Sequence, residues 1–137
     1  MGGAFAMPDS TIHDESLAGT RVLVAEDEPL LLMLLTDMLA DLGCRVICSA
    51  TQLALAMQYA AGNDVDVAIL DVKLGDVDVK PLVDVFEARA VPVVLATGYG
   101  SVAGKRFPNS VLMSKPYTLE SLRTALERAL ASKPHED

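Results

Sequence analysis

The chain has no tryptophan, and aromatic residues make up only 4% of its 137 residues. Hydrophobic residues nevertheless make up 51%, which is too many for a disordered chain. The core must therefore be aliphatic, and the length suffices for one domain with a core of its own. No apolar run approaches the ~20 residues that a membrane-spanning helix needs, so no such helix is predicted.

Basic residues are also scarce. Lysine and arginine total 11 against 19 acidic residues, which leaves a net charge of −8. This balance argues against direct DNA binding, which usually requires a basic surface, and against attraction to an anionic membrane.

Histidine and cysteine occur only twice each. His13 and His135 lie in the terminal segments, so no histidine-based catalytic set is available. Cys44 and Cys48 are four residues apart on a predicted strand, or roughly 13 Å, whereas a disulfide needs Cα atoms within about 7 Å. We expect two reduced, buried thiols, as is usual in a cytoplasmic protein.

Short apolar runs alternate with segments of helical periodicity. Leu31, Leu35, Met38 and Leu42, for example, repeat with the spacing of one helix face. The predicted strands are 21–25, 45–49, 65–70, 91–96 and 110–113, and the predicted helices are 29–42, 51–61, 79–88 and 119–130. Residues 99–109 contain two glycines and a proline, so a fourth helix there is predicted to be short or disordered.

This alternation of strand and helix predicts an α/β fold with a parallel sheet covered on both faces. The apolar strands support the prediction, because parallel strands are buried on both sides. Residues 1–19 are interpreted as a flexible leader or as residues added for expression, 20–132 as the domain, and 133–137 as a polar tail.

Polar residues follow four of the five predicted strands. They are Glu26–Asp27, Asp71, Thr97 and Lys115. Ligands of open α/β sheets bind beyond the carboxyl ends of the strands, so these side chains are expected to converge. Three adjacent carboxylates need a counter-charge, which Mg²⁺ and an ammonium can supply. A carboxylate placed there can act as a nucleophile towards phosphorus.

Four fragments together resemble the receiver domains of two-component response regulators. They are Val22–Glu28, Ile69–Asp71, Ala96–Gly98 and Ser114–Pro116, in that order and spacing. The resemblance covers roughly residues 19–132. It implies a doubly wound, flavodoxin-like five-stranded parallel sheet with strand order 2-1-3-4-5.

The resemblance also implies a role for each matching residue. Asp71 is the implied phospho-acceptor. Asp27 is the implied direct ligand of Mg²⁺ or Mn²⁺, Glu26 a ligand that acts through water, and the Lys73 carbonyl a third protein ligand. The implied donor is a phosphohistidine on a sensor histidine kinase or a histidine phosphotransfer protein.

Thr97 and Lys115 resemble the phosphate-sensing pair of this family. Residues 95–100 are similar to the Phe-Ala-Thr-Gly-Tyr motif of a single-domain alphaproteobacterial subgroup, with Leu95 in place of the Phe. The usual aromatic residue on the last strand is replaced by Leu112. Tyr99 is therefore proposed as the switch residue, and a plain surface-loop tyrosine is the alternative.

Two further assignments concern partners. Leu32 and Met33 on the first helix are proposed to dock the phosphate donor, against the alternative of incidental exposure. The Lys73 side chain is proposed to tune the phosphorylation or dephosphorylation rate.

The expected function is a phosphorylation switch that catalyses only its own phosphorylation and dephosphorylation. It would signal through an unknown downstream protein or a phosphorelay, without direct DNA or membrane binding. The alternatives are a phosphate sink for a shared kinase, an aspartate-dependent small-molecule phosphatase, and a scaffold that is not phosphorylated.

Overall fold

The computed structural model describes residues 16–98 and 104–132. Its strands are Arg21–Ala25 (β1), Arg45–Ala50 (β2), Val67–Asp71 (β3), Lys73–Leu74 (β4), Val77–Asp78 (β5), Val93–Thr97 (β6) and Val111–Ser114 (β7). Its helices are Pro29–Asp41 (α1), Leu53–Gly62 (α2), Lys80–Ala88 (α3) and Leu119–Ala131 (α4). Residues 104–106 are also helical.

Five strands form one parallel sheet in the order β2-β1-β3-β6-β7. Counting these five alone, the order is 2-1-3-4-5, which confirms the predicted doubly wound, flavodoxin-like topology. The chain leaves β1 for β2 on one side and returns to β3 on the other. This reversal opens a crevice at the carboxyl ends of β1 and β3, where such folds bind their ligands.

Among residues 16–98 and 104–132, two long helices cover each face of the sheet. β1 shows the arrangement, because Leu23 packs towards α2 and α3 while Val24 packs towards α1 and α4. β3 and β6 are buried along their whole length, as central strands covered on both faces must be. Of the residues that the structure describes, Phe86 is the largest fully buried side chain, and most of the remaining core is aliphatic, as the composition predicts.

The segment after β3, which the sequence analysis assigned to no strand or helix, contains two short strands. β4 and β5 pair as a small antiparallel hairpin, with Lys73 opposite Asp78 and Leu74 opposite Val77. Gly75 turns the chain with φ 67, a left-handed conformation that glycine adopts without steric cost. The hairpin stands beside the crevice at the sheet edge.

The start of the described chain also refines the prediction. Leu17 falls within the predicted leader, yet its side chain is buried in the cluster beneath α1 and α4. The Gly19 amide donates to the carbonyl of Gly43 at 2.8 Å. Leu17 therefore belongs to the core rather than to a flexible leader. No helix within residues 16–98 and 104–132 has the length and hydropathy required to span a bilayer.

Candidate functional site

The sheet brings the predicted strand-end residues to one edge. Asp71 is the last residue of β3, and Thr97 is the last residue of β6. Glu26 and Asp27 directly follow β1, and Lys115 directly follows β7. The parallel register explains the convergence, because neighbouring strands end at nearly the same level, with Asp71 beside Ala96.

Three carboxylates form a compact acidic cluster. Glu26, Asp27 and Asp71 each place an oxygen within 4.8 Å of the others. Glu26 and Asp71 are buried, with exposed fractions of 1% and 5%, and Asp27 is half-buried. Like charges this close repel one another strongly in a poorly solvated site. Clustered carboxylate oxygens are also the ligands that hard divalent cations prefer.

Lys115 provides positive charge on the other side of Asp71. Its Nζ donates to Asp71 Oδ2 at 2.9 Å and lies 3.7 Å from Glu26 Oε1. Burial alone would lower the pKa of Lys115, but the hydrogen bond and the nearby carboxylates outweigh burial and raise it. The ammonium is therefore fully charged at neutral pH. Its backbone amide donates to the Thr97 carbonyl at 3.0 Å, which ties β7 to β6 at the site.

The chain after β3 fixes two of the carboxylates. The Lys73 amide donates to Asp71 Oδ1 at 3.0 Å, and the Gly75 amide donates to Asp27 Oδ2 at 3.1 Å. The second contact joins residues 48 positions apart. The β4–β5 hairpin thus holds an acid that follows β1 as well as the one that ends β3.

Tyr117, which the sequence analysis missed, contacts the acidic cluster from the core beneath α1 and α4. Its buried hydroxyl donates to Glu26 Oε1 at 2.8 Å. Burial raises the pKa of Glu26, and the hydrogen bond from Tyr117 acts in the opposite direction. The only sequence signal was an aromatic residue next to the Lys115–Pro116 pair, whose peptide bond is cis.

An open cleft of about 610 Å³ lies over the cluster, within the range typical of ligand sites. Thr97 and Lys73 line it together with Arg106 and Phe107, two residues that the sequence did not single out. Thr97 is buried and Lys73 is exposed. Arg106 forms an ion pair with Asp78, which connects a residue of the cleft lining to the β4–β5 hairpin.

Three predicted residues remain, of which the structure describes Leu32 and Met33. Tyr99, the predicted switch residue, lies outside the described residues. Leu32 is partly buried against the core, whereas Met33 is 57% exposed. Of the two predicted docking residues, only Met33 presents most of its side chain to solvent.

The fold and the cleft define a class: a doubly wound α/β domain with an acidic cluster and a lysine at the carboxyl edge of its parallel sheet. Comparison with known families is more specific. The response regulator receiver domain family matches residues 22–127. The chain belongs to this family, as its sequence fragments indicated.

A curated relative is the transcriptional regulatory protein PdtaR of Mycobacterium tuberculosis strain H37Rv. It is 28% identical over 130 residues, which cover 91% of this chain and 63% of the relative. The chain thus spans less than two thirds of the length of the curated protein that it matches.

Solved structures agree with this fold. The receiver domain of PhyR from Erythrobacter litoralis is 27% identical with a TM-score of 0.75, and the match covers 89% of this chain and 98% of that one. This neighbour is consistent with the resemblance to the alphaproteobacterial subgroup. The receiver domain of sensor histidine kinase PA1611 from Pseudomonas aeruginosa, with magnesium in its cleft, has a TM-score of 0.72 at 24% identity, covering 84% of this chain and 100% of that one.

Proposed function

We propose that this receiver domain is a phosphorylation switch that accepts a phosphoryl group on Asp71 from a phosphohistidine donor. The observation that carries the proposal is the placement of the Asp71 carboxylate, between the Lys115 ammonium at 2.9 Å and two further acids within 4.8 Å. The carboxylate is buried but opens onto the cleft. A phosphohistidine donor in the cleft can therefore reach the Asp71 carboxylate, while the burial of Asp71 keeps most solvent away from it.

The donor set fits a divalent metal ion. The three carboxylates place oxygens within 4.8 Å of one another, so Asp27 and Asp71 would bind such an ion directly and Glu26 would bind it through water. The Lys73 carbonyl is the proposed third protein ligand. Mg²⁺ suits this set, because it binds through one or two carboxylates and keeps several waters, and Mn²⁺ has similar ligand preferences. The magnesium in the cleft of the PA1611 receiver domain supports the choice.

The proposed transfer is a simple displacement at phosphorus. An Asp71 oxygen forms a bond to phosphorus as the bond from phosphorus to the donor imidazole nitrogen breaks, and the imidazole stays on the donor. Such transfers depend mainly on positioning and charge neutralisation. The metal would neutralise charge on the phosphoryl oxygens when bound. Later attack by water releases phosphate and restores the carboxylate.

Three residues of the chain would act on the phosphoryl group. Lys115 already contacts Asp71 and can transfer a hydrogen bond to a phosphoryl oxygen. Thr97 lines the same cleft with a hydroxyl that can donate. Lys73 is exposed at the cleft, where its ammonium can approach the entering or leaving phosphate. A Lys73→Ala variant with an unchanged dephosphorylation rate would remove that last assignment.

The direct test is intact mass after incubation with acetyl phosphate and Mg²⁺. The native protein should gain the mass of one phosphoryl group, and Asp71→Asn should gain none. Asp76→Asn is a matched control, because Asp76 is exposed in the hairpin turn and outside the acidic cluster. A native protein that stays unmodified with both acetyl phosphate and a phosphohistidine donor would refute the proposal.

Two further assays separate the alternative functions. Sustained hydrolysis of a small phosphoester by the native protein would instead indicate a phosphatase. Transfer of phosphate from a kinase to Asp71 without any change in the binding of a downstream protein would indicate a phosphate sink. We propose partner binding as the output, with the partner itself unidentified.

The exposed apolar side of α1 is the proposed docking site for the donor. Leu30, Met33 and Leu34 are exposed by 75%, 57% and 47%, and Leu31 beside them lines the cleft. Met33→Glu should slow transfer from the cognate kinase but leave labelling by acetyl phosphate unchanged. Leu55→Glu on α2, at the opposite face of the sheet, is the control. Equal slowing with both donors would contradict docking through this helix.

A further inference from the structure

Tyr117 is a buried polar residue beside the acidic cluster. It lies between β7 and α4, its exposed fraction is 8%, and its ring packs in the core cluster beneath α1 and α4. Its hydroxyl donates to Glu26 Oε1 at 2.8 Å across 91 positions of sequence. The core thus fixes the ring, and the ring fixes the place of the hydroxyl.

The surroundings of Glu26 show why this contact matters. Oε2 accepts only a long hydrogen bond from the Glu28 amide, at 3.3 Å. Oε1 lies 3.7 Å from Lys115 Nζ, beyond hydrogen-bonding distance, because that ammonium donates to Asp71. The hydroxyl of Tyr117 is therefore the shortest polar contact of this carboxylate in the described structure.

We propose that Tyr117 is a positioning residue for metal binding, a role that rests on the proposed function of the cleft. Its hydroxyl holds Glu26 Oε1 and thereby orients Oε2 for the hydrated metal ion. It also satisfies Glu26 without drawing Lys115 away from Asp71. Partners that orient a metal-binding group from behind typically contribute 10–100-fold to metal affinity.

The hydrogen bond from Tyr117 depends on the length of the Glu26 side chain. Aspartate at this position is shorter by one carbon–carbon bond of about 1.5 Å. A contact of 2.8 Å would then open well beyond hydrogen-bonding distance. The effect of the Tyr117 hydroxyl should therefore depend on glutamate at position 26.

The test measures Mg²⁺ affinity by titration calorimetry on the 137-residue protein, without any phosphodonor. Tyr117→Phe removes only the hydroxyl, and we expect Mg²⁺ to bind about 10–100-fold more weakly. Tyr59→Phe is the matched control, because Tyr59 packs partly buried on the opposite face of the sheet. Far-UV circular dichroism should show native secondary structure in both variants.

A double-mutant cycle separates positioning from a general effect on packing. In the Glu26→Asp background, Tyr117→Phe should change Mg²⁺ affinity little, since the contact is already lost. Additive losses in the two variants would overturn the inference. So would unchanged or tighter Mg²⁺ binding by Tyr117→Phe.

Phosphorylation by acetyl phosphate distinguishes failure of the role of Tyr117 from failure of the proposed function. We expect Tyr117→Phe to be labelled slowly at low Mg²⁺ and normally at saturating Mg²⁺. If the native protein binds Mg²⁺ and is labelled while Tyr117→Phe behaves identically, only the role of Tyr117 fails. If the native protein neither binds Mg²⁺ nor is labelled, the proposed function fails as well.

Discussion

Replacing Glu26 with glutamine is expected to stabilise the metal-free protein. Glu26 is 1% exposed, and its carboxylate lies within 4.8 Å of oxygens of both Asp27 and Asp71. The substitution removes one negative charge from this cluster and nearly preserves the shape of the side chain. The amide oxygen can still accept the hydrogen bond from Tyr117.

The size of the effect follows from the distances. With an effective dielectric constant of about 20, two unit charges 4.8 Å apart, the upper limit of these oxygen separations, repel each other by about 3.5 kcal/mol. Glu26 meets two such repulsions, whereas its attraction to Lys115 at 3.7 Å is about 4.5 kcal/mol on the same scale. Partial exposure of Asp27 and loss of the weak Glu28 contact reduce the difference. The expected gain is about 2 kcal/mol, or about 8 °C in Tm for a domain of this size.

The pH dependence has a definite sign. Burial raises the pKa of Glu26 above its usual 4.5, so the native state keeps this proton to a higher pH than the unfolded chain does. The native protein therefore loses stability as pH rises from about 4.5 through the raised pKa. Glu26→Gln lacks this loss. The stability gap between the two proteins should be open at pH 7 and should close below pH 4.5.

Urea unfolding followed by far-UV circular dichroism measures the gap, because the chain has no tryptophan to report by fluorescence. With EDTA at pH 7 the variant should unfold at the higher urea concentration. Added Mg²⁺ should stabilise the native protein more than the variant. A ligand stabilises the folded state in proportion to how well that state binds it, and the variant lacks one carboxylate of the proposed metal site. Glu87→Gln, which removes an exposed charge on α3, is the control. A less stable variant in EDTA, or equal responses to Mg²⁺, would refute the reasoning.

Three other predictions concern the frame of the site. Thr118→Ala removes the capping box that begins α4 and should cost about 1 kcal/mol in urea unfolding, whereas Thr124→Ala within that helix should not. Ala90 has φ 60, a left-handed conformation that strains alanine by roughly 1–2 kcal/mol. Ala90→Gly should therefore raise the free energy of unfolding by up to about 1 kcal/mol, because the relief of strain exceeds the entropy that glycine adds to the unfolded chain. A loss of stability would contradict this. Burial raises the pKa of the Cys44 thiol to about 11, so thiol reagents at pH 8 should label it far more slowly in the native protein than in urea.

The sequence by itself determined the order of the five main strands and of the helices between them, but not the β4–β5 hairpin. Apolar runs such as 21–25 have the length of strands buried on both faces, and the periodic segments between them indicate helices that cover those faces. The predicted strand and helix bounds therefore agree with the structure to within about two residues, and the strand order is confirmed. The carboxyl ends of parallel strands share one edge, so the meeting of Asp71 with Asp27 and Lys115 also followed from sequence.

Only the tertiary structure decided the contacts that cross the chain without a local pattern. The bond from the Gly75 amide to Asp27 and the bond from Tyr117 to Glu26 join residues 48 and 91 positions apart. Neither partner carries a periodic or spacing signal for the other. Their meeting depends on how the hairpin and the start of α4 pack on the finished sheet, because hydrogen bonds act over about 3 Å and sequence patterns set positions less finely than that.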